Sequence, residues 1–211
     1  MNTTFPLLDT ARLRLRALTP ADAPALLRIH SDAEAMRWFG VDPMQNIGQA
    51  EKIIDAFNAW FVASSGIRWG LELRDHPRND PHDGVRDGTH HRTHHGTPSS
   101  GRLIGTCGLF RWNKNWSHCA LGYELARTCH GRGYMREALI EVLNFGFTEM
   151  ALHRVHAEIH RDNQASIRLA QGLGFRFEGV HRETAYWGER WHDLGSYSLL
   201  AQEWTNHSGQ D

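Results

Sequence analysis

The sequence predicts a mixed α/β fold, in which a sheet carries flanking helices within one domain. Hydrophobic residues alternate with period two near the N-terminus, as in Leu13-Arg14-Leu15-Arg16, which indicates a strand with one buried face. Strand and helix patterns alternate further along, between about residues 120 and 175. Strands followed by such an alternation favour a sheet packed against helices. The length of 211 residues suits a single domain with ample core.

The N-terminal part is predicted to contain two strands and two main helices. The strands cover 10–18 and 69–73. Thr19-Pro20 marks a helix start, because threonine caps helices and proline suits their first turn. A short helical turn over 32–39 precedes a longer helix over 46–62, whose apolar stripe predicts packing against the core.

The segment 74–101 differs from the rest of the chain. It holds six of the fifteen histidines, three prolines and no aromatic residue, so it cannot bury enough apolar surface to order itself. We expect a disordered, histidine-rich insertion in the single domain 1–211. Its run from Thr89 to His95 could bind a transition metal, but no fixed ligand geometry is evident. A solvated loop is the favoured interpretation, and we expect no metal requirement.

The C-terminal part alternates strands with helices. Its predicted strands are 103–112, 120–125, 154–159, 175–187 and 193–200, and its predicted helices start near Tyr134 and Asn163. Between the second of these strands and the first helix lies the loop 128–133, in which Gly131 and Gly133 flank Arg132. Glycine permits positive φ and close approach of an anion to backbone N–H groups. A helix start adds unpaired donors and the positive end of its dipole.

Strand, Gly-x-Gly turn and helix together form a possible cradle for a phosphate or pyrophosphate, although glycine pairs before helices are also common turn chemistry. A P-loop is excluded because the loop ends without Gly-Lys-Ser/Thr. The dinucleotide fingerprint is a poor match, because it needs a third small residue where this chain has Arg136.

Spaced motifs in the C-terminal part resemble the acetyl-CoA-binding core of the GCN5-related N-acetyltransferase (GNAT) superfamily. The residues 128–133 match its Gln/Arg-x-x-Gly-x-Gly/Ala pattern at both glycines and depart from it at Thr128. The runs at 133–138 and 163–166, with Gly174-Phe175 and His192-Asp193, resemble the ribosomal-protein N-terminal acetyltransferase (RimJ/RimL-like) branch. The resemblance covers nearly the whole chain except 74–101. It implies a mixed, mostly antiparallel central sheet of about seven strands flanked by helices.

The resemblance also implies an acetyl-CoA co-substrate and a set of residues that hold it. The implied cofactor-binding residues are Tyr123, Glu124 and Leu125 for pantetheine, Thr128, Gly131, Arg132, Gly133, Tyr134 and Met135 for pyrophosphate, Asn163 as a further cofactor contact, and Ser166 near the sulfur. Ser166 is the implied catalytic donor to the departing thiolate. Locally, Asn163 is also explained as a helix N-cap.

The group that accepts the amine proton is harder to place. Relatives often carry Glu at the position of Ala185, so Glu183, two residues earlier and on the same face of an ideal strand, is the candidate catalytic acid. Glu124, Tyr186 and His181 are reserves. The alternative for Glu183 is an exposed strand acid paired with Arg182 or Arg190. An α-amino group has a pKa of roughly 7.7–8.0 and therefore needs little help to lose its proton.

The leading hypothesis is acetyl transfer to a primary amine, above all a protein N-terminal α-amino group, by direct attack in a ternary complex. A small amine or aminoacyl antibiotic as acceptor, and a non-catalytic acyl-CoA sensor, are the alternatives.

The net charge of −1 does not favour a nucleic-acid partner, and no apolar run approaches membrane-spanning length. Three cysteines without C-x-x-C spacing indicate a reduced, cytoplasmic protein. Dimers are common among relatives, so a homodimer stays open.

Overall fold

A computed structural model describes residues 4–74 and 101–204 and confirms the mixed α/β fold. One sheet of eight strands has the order β1-β2-β3-β4-β5-β6-β8-β7. The strands are β1 (Leu8–Asp9), β2 (Leu13–Arg16), β3 (Ile67–Leu73), β4 (Leu103–Asn113), β5 (His118–Leu125), β6 (Arg154–His160), β7 (Arg176–Trp187) and β8 (Arg190–Leu200). The strand beyond the seven expected is β1, whose two residues are too few to show an alternation.

Six α-helices accompany the sheet in the described residues. They are α1 (Ala23–His30), α2 (Ala33–Met36), α3 (Ile47–Val62), α4 (Tyr134–Thr148), α5 (Gln164–Gly172) and α6 (Ala201–Trp204). The Thr19-Pro20 start opens a 3-10 turn, Pro20–Asp22, and α1 follows from Ala23. Asn46 caps α3 by accepting a hydrogen bond from the Gln49 amide at 3.2 Å. None of these helices is long and apolar enough to cross a membrane.

The sheet is packed against helices on both of its faces. On one face α4 buries Leu139 and Leu143 against strand residues such as Val155. A second cluster joins α1 to α3 through Leu26 and Ile54. Burial of such side chains contributes roughly 1.5–3 kcal/mol each, so both layers fix the positions of the strands between them.

The sheet opens between β5 and β6, which are its only parallel neighbours among the described strands. Their pairing covers three residue pairs, from His118 with Arg154 to Ala120 with His156. Beyond this point β5 remains paired with β4, while β6 continues against β8 as far as His160. The edge of β5 from Leu121 to Leu125 therefore has no strand partner on the β6 side among the described strands. Such an edge offers backbone donors and acceptors to an extended ligand.

The histidine-rich insertion predicted over 74–101 lies, apart from its two end residues, outside the described residues. Its disorder, its metal-binding alternative and the single-domain assignment therefore stay predictions.

Candidate active site

The glycine loop has the backbone geometry of an anion cradle. Gly131 and Gly133 have φ values of +74° and +79°, in the left-handed region that side chains disfavour, and Gly133 is the N-cap of α4. A Cβ at Gly131 would meet no atom within 4 Å, so backbone conformation rather than space requires glycine there. The first amides of α4, including those of Tyr134 and Met135, have no acceptor within the helix. They suit a pyrophosphate.

Arg12, which the sequence patterns did not single out, supports this loop from the position just before β2. Its Nη1 donates to the carbonyl of Arg132 at 2.9 Å, and its guanidinium lies 4.5 Å from the centroid of the Tyr134 ring. Its Nε donates to Glu137 at 2.7 Å, and Glu137 also accepts from Thr10. Burial tends to raise the pKa of Glu137, but the hydrogen bonds from Thr10 and Arg12 lower it overall. Thr128, by contrast, is exposed in a short turn.

The start of α5 lies against the unpaired part of β5. Asn163 caps the helix by accepting from the Ser166 amide at 3.1 Å, as its N-cap interpretation predicts. The Tyr123 hydroxyl approaches the Ser166 carbonyl at 3.5 Å, and burial raises the pKa of Tyr123. The Ser166 hydroxyl has no hydrogen-bond partner in the described parts of the chain. It is therefore free to donate to a ligand between α5 and β5.

Glu124 points to the opposite face of β5, where its carboxylate is already engaged. Arg68 and Thr106 donate to it, and His30 Nε2 lies 3.2 Å from its Oε1. Burial tends to raise the pKa of Glu124, yet Arg68, His30 and Thr106 lower it overall. This occupied, buried carboxylate is a poor reserve base.

Glu183 lies at a cleft of about 490 Å³ between the end of β6 and the β7–β8 hairpin. The cleft is lined by His160, Arg161, Asp162, Glu183, Arg190, Trp191, His192 and Asp193. Glu183 has a φ of +49°, and the register of β7 against β8 shifts between His181 and Ala185. This bulge interrupts the two-residue alternation that placed Glu183 on the face of Ala185. Glu183 reaches the cleft because of this bulge and not because of the alternation.

The alternative partners proposed for Glu183 do not form ion pairs with it in the described residues. Its amide donates to Asp193 Oδ1 at 2.9 Å, which anchors the bulge. Of the two other reserve residues, His181 contacts Glu158 at 3.2 Å and Tyr186 packs against the Trp191 ring. Both carry exposed side chains on the hairpin.

Sequence patterns gave no role to the two histidines of the cleft, although His192 belongs to the His192-Asp193 run of the family resemblance. His160 ends β6 and His192 lies on β8, and their Nε2 and Nδ1 atoms are 3.2 Å apart. His192 is directly opposite Ala185 in the strand register, and both imidazoles are buried. Only the pairing of strands distant in sequence brings these residues together, so no local pattern could have shown that they are neighbours.

The segment after α1 closes the same region from the other side. Asp32 forms an ion pair with Arg127 at 3.3 Å, just beyond β5. The Trp38 ring stacks on His160 with centroids 4.2 Å apart, and the carbonyl of Arg37 accepts a bond from Trp187 Nε1 at 3.3 Å. This segment therefore spans the opening between β5 and β6 and leaves the cleft beside it.

Comparison with known proteins identifies the family. The profile described as an acetyltransferase (GNAT) domain matches residues 12–176. The chain belongs to the GNAT acetyltransferase family. The uncharacterized N-acetyltransferase YoaA of Bacillus subtilis (strain 168) is 32% identical over 196 residues, which cover 93% of this chain and 97% of that protein. The protein is thus an acyltransferase, as the motifs predicted.

Solved structures share the fold at lower identity. RimL, a ribosomal L7/L12 α-N-protein acetyltransferase in complex with coenzyme A, superposes with a TM-score of 0.73 at 16% identity, covering 92% of this chain and 98% of that one. The spermidine N-acetyltransferase of Vibrio cholerae, in complex with CoA and spermine, gives 0.72 at 19%, covering 93% and 100%. The resemblance to RimJ/RimL-like enzymes is confirmed at the level of fold. Acetyltransferases of both acceptor types share it.

Proposed function

We propose that this GNAT enzyme transfers the acetyl group of acetyl-CoA to a protein N-terminal α-amino group of the ribosomal-protein type, by direct attack in a ternary complex. The observation that carries the proposal is the opening between β5 and β6. The glycine loop lies beyond the β5 end of this opening, and the cleft with Glu183 lies at the β6 end. A thioester in the opening would meet an amine in the cleft, which supplies the effective concentration that transfer needs.

The residues around the opening fit the parts of acetyl-CoA. The unpaired edge at Tyr123, Glu124 and Leu125 suits the pantetheine amides, and the left-handed glycines with the start of α4 suit the pyrophosphate. When bound, acetyl-CoA supplies the activated acyl group. Ser166 Oγ, with no partner in the described chain, would donate a hydrogen bond to the thiolate as it leaves.

Glu183 would accept the amine proton, directly or through a water. Its side chain is exposed at the cleft, and no cation holds it among the residues that the structure describes. An α-amino group requires only this modest assistance, because its ordinary pKa is roughly 7.7–8.0 against about 10.4 for lysine.

The charges of the cleft favour an acceptor with one ammonium group over a polyamine. Three carboxylates, those of Asp162, Glu183 and Asp193, share the cleft with Arg161 and Arg190. Asp193 is already engaged by the Glu183 amide and lies 3.6 Å from Arg161. The cleft therefore lacks the uncompensated negative charge that would hold several cationic groups.

The experiment combines calorimetric titration of acetyl-CoA with a thiol-release assay on a panel of N-terminal peptides, spermidine and aminoacyl compounds. We expect binding, with thiol release on peptides bearing a free α-amino group and little on their N-acetylated versions. Fast turnover of spermidine alone would replace the acceptor assignment with the small-amine alternative. Binding without turnover of any amine would support an acyl-CoA sensor.

Two substitutions test the proposed roles within this assay. Ser166→Ala and Glu183→Gln should each lower kcat about 10–1,000-fold with little change in acetyl-CoA affinity. Glu189→Gln is the matched control, because Glu189 is an exposed acid in the turn of the same hairpin and does not line the cleft. If Glu183→Gln and Glu189→Gln changed kcat equally, Glu183 would have no specific role in the reaction.

A further inference from the structure

The two cleft histidines form part of a continuous hydrogen-bond chain between two backbone groups. The Asp162 amide lies 3.2 Å from His160 Nδ1, and His160 Nε2 lies 3.2 Å from His192 Nδ1. His192 Nε2 lies 3.1 Å from the carbonyl oxygen of Trp187. The chain thus connects the residue before the N-cap of α5 to the last residue of β7.

The two backbone ends determine where the protons lie. The Trp187 carbonyl can only accept, so His192 Nε2 must carry a proton. In a neutral ring His192 Nδ1 is then an acceptor, and His160 Nε2 must donate to it. The Asp162 N–H can only donate, so His160 Nδ1 must be unprotonated. One arrangement satisfies all three bonds, and in it both rings are neutral Nε2–H tautomers.

Each ring is also held by an indole. His192 is stacked on Trp187 with centroids 3.5 Å apart and an interplanar angle of 6°, and His160 is stacked on Trp38. Trp187 is tied in turn to the segment after α2, since its Nε1 donates to the Arg37 carbonyl. Asp42 accepts from the Gly188 amide in the hairpin turn at 3.0 Å. Three separate parts of the chain therefore meet at the histidine pair.

We propose that His160 and His192 are a positioning pair for acetyl transfer, which fixes the β7–β8 hairpin against the start of α5 only while both imidazoles are neutral. The proposal rests on the proposed function, because Glu183 on the hairpin and Ser166 on α5 must hold a set separation during the reaction. A displacement of about 1 Å between such groups can lower the rate by about 10²-fold.

A proton added to the pair has no acceptor within the hydrogen-bond chain itself, and the nearest carboxylate, that of Asp162, lies 4.0 Å from His160 Nδ1. Protonation of His160 Nδ1 would set two donors face to face at Asp162, and protonation of His192 Nδ1 would do the same between the rings. The stacked indoles favour a cation over their faces but cannot accept the additional hydrogen bond. Proton uptake therefore has to break one of the three bonds, and at His160 it replaces the bond from the Asp162 amide by an attraction to the Asp162 carboxylate, which loosens the hairpin against the start of α5.

Charged groups surround the pair on every side. They are Arg161 and Asp162 after β6, Glu183 on β7, Arg190 and Asp193 on β8, and Arg37 and Asp42 after α2. Burial lowers the pKa of His160, Asp162 opposes this, and His192, Arg190 and Arg161 add to the lowering. A lowered pKa keeps His160 neutral near pH 7. The stability that the neutral His160 contributes to the fold is complete at pH values above 6.5, the ordinary pKa of histidine. This contribution is lost as the pH falls below 6.5.

The first arm of the test needs no substrate. Long-range ¹H–¹⁵N correlation spectra of the full chain labelled with ¹⁵N-histidine report the tautomer and charge of each ring, and the variants His160→Gln and His192→Asn assign the signals. We expect two neutral Nε2–H rings at about pH 7.5, with His160 taking up its proton below pH ~6.5. An imidazolium or an Nδ1–H tautomer at either position at about pH 7.5 would overturn the proposal.

The second arm measures kcat, KM and acetyl-CoA affinity from about pH 5 to 9, using the amine of the panel that the enzyme acetylates fastest. His160→Ala should lower kcat about 10–100-fold with the affinity for acetyl-CoA unchanged. His160→Gln keeps a donor toward His192 and does not titrate. It should therefore retain most of the activity that His160→Ala loses. Its kcat should also no longer fall at acidic pH in the range where His160 takes up a proton. His118→Gln is the matched control, because His118 lies on β5 outside the cleft and close to another histidine.

Structural damage and positioning are separated by urea unfolding of every variant, with kinetics compared only where all are folded. An acid limb that persists in His160→Gln, or equal effects of His160→Ala and His118→Gln on kcat, would overturn the proposal. Failure of the acceptor assignment would look different. In that case the histidine tautomers would be as stated, and the fastest acceptor would not be a peptide.

Discussion

Removal of one charge from the buried ion pair of Arg68 and Glu124 should strongly destabilise the fold. Arg68 on β3 is 4% exposed and Glu124 on β5 is 7% exposed, so neither charge is solvated. Arg68 Nε also donates to Thr106 Oγ1 at 2.7 Å, and Thr106 in turn donates to Glu124. Glu124→Gln preserves the size of the side chain and removes its charge, which leaves the guanidinium without a counterion.

The magnitude follows from the uncompensated charge. Breaking a buried pair by removing one partner costs about 3–5 kcal/mol. Since the amide of the variant can still accept from Thr106 or His30, we expect the lower end, about 3 kcal/mol. With a urea m-value of about 2–3 kcal/mol/M, the midpoint should fall by about 1–1.5 M. The double variant Arg68→Met with Glu124→Leu removes both charges and should be less destabilised than Glu124→Gln.

Urea unfolding followed by circular dichroism and tryptophan fluorescence measures both free energies. Glu189→Gln serves as control, because an exposed acid should change stability by no more than about 0.5 kcal/mol. A loss below about 1 kcal/mol for Glu124→Gln would refute the argument that burial leaves Arg68 uncompensated. So would a double variant that is less stable than Glu124→Gln.

Three further outcomes are expected. Gly131→Ala should lower the free energy of unfolding by about 1–2 kcal/mol, because a residue with a Cβ is strained at a φ of +74°. It should also weaken acetyl-CoA binding in calorimetry, and an unchanged affinity would argue against the cradle. Arg154 lowers the pKa of Glu178 to about 2, so the stability from this carboxylate is present above pH 4.5 and lost as the pH falls toward 2. Glu178→Gln should therefore flatten the fall of the urea midpoint in that window, and an unchanged slope would contradict the pairing. Burial raises the pKa of Cys107 and of Cys119 to about 12, so mass spectrometry should find both unmodified by iodoacetamide in native protein and alkylated in urea; rapid native alkylation would show that they are accessible.

Local patterns predicted the elements and the glycine turn before α4, because each depends on residues close in sequence. The alternation in β2, the helix start at Thr19-Pro20 and the glycine pair at the start of α4 all act within a few residues. The boundaries differed where pairing extends a strand, as in β3, which begins two residues before the predicted start at Trp69. The placement of Glu183 by alternation failed, because a β-bulge is set by pairing with β8 and not by the residues of β7 alone.

By itself the sequence determined the α/β class, which follows from periodicity and helix starts, and its spaced motifs resemble a family whose chemistry is acetyl transfer. Only the tertiary structure decided how far β5 stays paired with β6, which carboxylates remain free, and which groups share the cleft. Glu124 is engaged because Arg68 and His30 reach it from β3 and α1. The histidine pair exists because β6 and β8 are neighbours although 32 residues separate His160 from His192. Contacts between residues so far apart leave no local signal, because burial and pairing are properties of the assembled sheet.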